Sequence, residues 1–120
     1  MSPRLTIPVV LMLGLCSPAV RATPASATPL AQARQAYVNM EYEEVIRLTR
    51  APAWDSGLTT PRRVEALELL GLSQLILGRQ KDARVAFEAL LSLSPDHKLQ
   101  DPSGSPKLQR LFETVRQEVG

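Results

Sequence analysis

A hydroxyl residue followed by proline occurs twice in the second half of this chain, as Thr60-Pro61 and Ser105-Pro106. A threonine or serine side chain can cap the N–H groups of a first helical turn, and proline is favoured at the first helical position because its missing N–H would have no partner there. Apolar residues at helical spacing follow each pair. The pattern predicts helices that begin at Pro61 and Pro106, with Thr60 and Ser105 as their N-caps.

Gly78 and Pro95 predict where helices end. Gly78 follows an apolar run that ends at Leu77, and Pro95 follows a second periodic segment. Glycine readily adopts the left-handed backbone that closes a helix, and proline cannot continue one. With two earlier periodic segments and a turn-rich stretch over 51–60, the predicted helices are 30–39, 41–50, 61–77, 80–93 and 105–118.

The composition agrees with a helical fold. Hydrophobic residues make up 44% of the chain but aromatic residues only 4%, so the apolar content comes mainly from leucine and alanine rather than from residues that favour strands. A chain of 120 residues suffices for one small domain. The sequence predicts an all-α domain over residues 30–120.

Residues 64–97 carry small and large side chains at fixed positions of a 34-residue helix–turn–helix unit that begins at Val64. In this register Gly71 and Ala83 lack bulk, so the two helices can approach closely. The segment resembles a tetratricopeptide repeat, and the resemblance assigns packing roles to eight residues: Leu67, Leu70, Gly71, Leu77, Gly78, Ala83, Phe87 and Pro95.

Residues 30–50 form a weaker copy of this unit, in the register that aligns Val45 with Ala83. In that register Thr49 replaces the aromatic residue and Met40 replaces the turn glycine. The last helix, 105–118, matches the first half of a further unit and is expected to act as a cap. The resemblance therefore implies antiparallel helix pairs of a short tetratricopeptide-like solenoid with a C-terminal capping helix.

In this family the first helix of each unit lines a concave groove that holds a partner. The helix 61–77 is then apolar both toward the seam and toward the groove, so something must cover it. The chain's own last helix or leader, a second copy and a separate protein are the alternatives. The family's basic clamp for acidic peptides is not expected, because Arg34 alone could serve in it. The expected groove residues are Arg34, Tyr37, Val38, Glu65, Glu68, Leu72, Leu75 and Ile76.

Residues 1–22 have the features of a secretory signal: Arg4 near the start, a short apolar run and small residues at possible cleavage sites after Ala22 or Ala27. Leu15 precedes Cys16 where a lipoprotein signal has a small residue, so a lipid anchor at Cys16 is not expected. Residues 23–29 are small, polar and proline-rich, which predicts a disordered leader.

Charge and site chemistry exclude several function classes. Without Arg4 and Arg21, the remaining chain has 12 basic and 12 acidic residues, a balance that does not favour nucleic-acid binding. His97 is the single histidine, expected to be exposed, and it cannot build a zinc site or a catalytic triad by itself. The chain is not expected to be an enzyme, and it is not expected to bind a metal ion or a cofactor.

The sequence therefore predicts a non-catalytic protein-interaction module or scaffold, exported to the bacterial envelope, with the periplasm as its expected compartment. It would bind a partner through the concave groove. The alternative is a small structural subunit that completes a larger solenoid or forms a homodimer, because solenoid units become stable only when they stack. No membrane span is expected, since the apolar run near the start is too short.

Overall fold

The chain is described by a computed structural model over residues 28–99 and 105–119. The all-α prediction is confirmed: the described part consists of helices and their connections, without strands. The expected signal at 1–22 and most of the expected leader lie outside the described residues. No described helix is long and apolar enough to cross a membrane. The helices are α1 (Pro29–Val38), α2 (Tyr42–Ala53), α3 (Thr60–Ile76), α4 (Gln80–Leu93) and α5 (Pro106–Val119).

The helix α3 lies at the centre of the fold. It packs against α2 on one side and α4 on the other and also touches α1, while α5 packs against α4. From Val64 to Leu75 every residue except the half-buried Glu65 is buried. A helix that is apolar nearly all round is stable in water only when neighbours cover it, which the surrounding helices do here.

The seam between α3 and α4 depends on two small residues. A Cβ atom on Gly71 would lie 2.5 Å from Cε1 of Phe87, a distance that real contacts do not reach. Ala83 is fully buried in the same core. The Phe87 ring meets Phe112 of α5 edge-on, with 5.3 Å between ring centroids. The close approach at Gly71 thus lets one aromatic residue join three helices.

Most helix boundaries differ from those predicted, seven of them by one residue and the end of α2 by three. The helix α1 begins at Pro29, where Thr28 Oγ1 accepts a hydrogen bond from the Ala31 N–H at 3.1 Å, so the last two residues of the expected leader belong to a helix start. The helix α2 continues through Pro52 to the fully buried Ala53. Proline is tolerated there because its missing N–H removes one hydrogen bond just before the helix ends.

The expected N-cap of α3 is displaced by one residue. Thr60 is the first helical residue, and Thr59 is the N-cap. The Thr59 side chain makes no capping hydrogen bond, although its carbonyl accepts from the Arg63 N–H at 3.0 Å. Two adjacent threonines offer the same local chemistry, so the sequence pattern could not distinguish them.

Candidate interaction surface

The turns that join α1 to α2 and α3 to α4 have the same backbone conformation. Met40 has φ 62° and Gly78 has φ 84°, both in the left-handed region. The residues after them also agree, since Glu41 has φ −94° and ψ 70° and Arg79 has φ −92° and ψ 68°. A methionine thus takes the conformation that glycine adopts at the equivalent turn.

The hydrogen bonds of the two turns agree as well. The Glu41 N–H donates to the Ala36 carbonyl at 2.8 Å, and the Arg79 N–H donates to the Gln74 carbonyl at 2.8 Å. Each bond closes the end of the first helix of its pair. Many helices end in this way, with a left-handed residue followed by such a hydrogen bond. The two turns therefore have the same backbone geometry, at positions that the sequence alignment of the two copies pairs.

Large apolar side chains are exposed at these two turns. Val38 is 73% exposed and Met40 69% at the end of α1, while Ile76 is 41% exposed and Leu77 38% at the end of α3. We call these four residues the turn patch. Exposed apolar residues that cluster in this way often mark an interaction site.

An ion pair connects the residues that follow the two turns. Arg79 donates to Glu43 through both terminal nitrogens, with Nη2–Oε2 at 2.5 Å and Nη1–Oε1 at 3.3 Å. Glu43 lies in the first turn of α2 and Arg79 directly precedes α4. The pair therefore links the start of α2 to the start of α4.

Three of the eight expected groove residues are buried. Leu72 is 1% exposed, Leu75 is 5% exposed and the carboxylate residue Glu68 is also buried, so the expectation that these residues face a partner is wrong. They are covered within the fold because α3 is packed on several sides. Leu77 was expected to pack inward but is exposed, since it is the C-cap residue beyond the last turn of α3.

Arg34 and Glu65, two further expected groove residues, are bound to each other. Arg34 Nε pairs with Glu65 Oε2, and its Nη2 donates to Oε1 at 3.2 Å. These hydrogen bonds raise the pKa of the Arg34 guanidinium. An arginine already engaged by a carboxylate on the neighbouring helix is a poor clamp for an acidic peptide.

The other expected groove residues lie on or beside the turn patch. Val38 and Ile76 belong to it. Tyr37 is half-buried against the core and meets Tyr42 edge-on, with 5.6 Å between the ring centroids. Sequence reasoning missed Met40 and Leu77 as surface residues. The alignment of the two copies could have revealed them, because it sets Met40 on the turn glycine and Leu77 directly precedes that glycine.

Contrary to the expectation, His97 is not exposed. Its side chain is largely buried, and Nε2 lies 2.6 Å from Oε1 of Glu68. Arg116 of α5 donates to the carbonyls of Pro95 and His97 and places its guanidinium 5.2 Å from the centre of the Phe112 ring. The segment after α4 therefore folds back onto α3 and α5. These residues join three parts of the fold, which is a structural role.

Within the described residues, no group of three or more histidine, cysteine, aspartate or glutamate side chains could hold a metal ion. No protein-family model matches this chain, and neither a curated protein nor a solved structure is significantly similar to it. The geometry of its own residues is thus the evidence for a function.

Proposed function

We propose that this protein is a non-catalytic protein-interaction module of the tetratricopeptide type, exported to the bacterial envelope. One observation carries the proposal: the turn after α1 and the turn after α3 repeat the same dihedral angles and the same hydrogen bonds at equivalent residues of the two copies. Repeated helix pairs that stack side by side are the basis of solenoid proteins, which mostly bind other proteins.

The seam between α3 and α4 supports the same family. Gly71 and Ala83 occupy the positions where the repeat register needs small residues, and Phe87 fills the space beside them. The export part of the proposal rests on the signal-like residues 1–22 of the sequence.

The proposed contact surface is the turn patch rather than the buried face of α3. Val38, Met40, Ile76 and Leu77 expose apolar side chains without a cover among the described residues. Exposed apolar surface is stabilised by contact with another protein.

Site-specific photo-crosslinking in the cells that express the protein tests this proposal. A photoreactive amino acid at Ile76 should form protein adducts, because that side chain lies on the turn patch. The same amino acid at Ala51, which is exposed in the last turns of α2, is the matched control. Adducts at Ala51 but not at Ile76, or at neither position, would contradict the proposed surface.

The alternative role, a subunit that completes a larger solenoid, has less support at the C-terminal end. Arg110, Glu113 and Gln117 of α5 are exposed, so the outer face of the last described helix is polar. A polar outer face is typical of a terminal cap and leaves little apolar surface for a following helix.

A further inference from the structure

We draw no further inference here: the strongest candidate, the exposed apolar turn patch at the ends of α1 and α3, belongs to the surface already described, and nothing in the structure shows what covers it, because the basic side chains that follow its turns are paired with or offset by acidic neighbours of the same chain.

Discussion

Met40 and Gly78 hold the same left-handed backbone conformation in two equivalent turns, although only one of them is glycine. A side chain in this conformation brings Cβ close to the following carbonyl oxygen, which costs about 1–2 kcal/mol. The chain accepts this cost at Met40 because the turn must reverse between α1 and α2 within a short connection. The same reversal at Gly78 carries no such penalty.

Met40→Gly should therefore stabilise the protein. Relief of the left-handed strain should raise the free energy of unfolding by about 1 kcal/mol. The greater freedom that glycine gives the unfolded chain reduces this gain. The Met40 side chain is mostly exposed, so little packing is lost. Urea unfolding measures the effect. A lower midpoint would contradict strain at Met40.

Gly78→Ala is the converse substitution. A Cβ atom there would meet no atom within 4 Å, so its cost comes from the backbone alone. We expect a loss of about 1 kcal/mol in the free energy of unfolding. Chemical denaturation of both variants in parallel should give shifts of opposite sign, and shifts of the same sign would contradict the equivalence of the two turns.

Gly71→Ala should destabilise the seam between α3 and α4. The new Cβ would overlap the buried Phe87 ring, and overpacking of this kind costs roughly 1–3 kcal/mol, although alanine is the better helix former. Phe87→Leu in the same protein makes room for the methyl group. A double-mutant cycle should show that the second change offsets part of the first, and additive losses would contradict the contact.

Ala83→Leu tests the other small residue of the seam. Ala83 is fully buried, so a leucine must displace its neighbours, at a cost of roughly 1–3 kcal/mol. For a domain of this size that is a large share of the total stability. Ala51→Leu, at an exposed position of α2, is the control. Thermal melts of Ala83→Leu that match the parent would contradict the assigned packing.

Leu72→Asp and Ile76→Asp form a matched pair on one helix. Leu72 is buried, so a carboxylate there should lower the free energy of unfolding by roughly 3 kcal/mol or more and disrupt the fold. Ile76 is substantially exposed, so the same change should leave the helical circular-dichroism signal intact. A folded Leu72→Asp protein would mean that this face of α3 is open to solvent after all.

Arg116→Met should release the segment after α4 from α5. The substitution keeps most of the apolar stem but removes the hydrogen bonds to the carbonyls of Pro95 and His97. Hydrogen bonds from a charged donor contribute about 1.5–3 kcal/mol, and the side chain is partly exposed, so the lower value is expected. Arg110→Met, on the exposed face of the same helix, should have little effect. Faster amide exchange at residues 96 and 97 is the matching readout.

Local chemistry in the sequence determined where the helices lie. The effects of Pro61, Gly78 and Pro106 are local. Proline suits a helix start because its missing N–H would have no partner there, and achiral glycine suits a helix end, whatever the rest of the chain does. The small residues Gly71 and Ala83 indicated the seam for a similar reason, because a missing side chain creates room only for a close neighbour.

Tertiary structure decided which face of each helix is covered. Leu72 and Ile76 look alike in the sequence, yet one is buried and the other is exposed, since the cover of a helix depends on where all its neighbours pack. The left-handed conformation of Met40 has the same origin. No local preference of methionine produces it, and the packing of α1 against α2 and α3 imposes it.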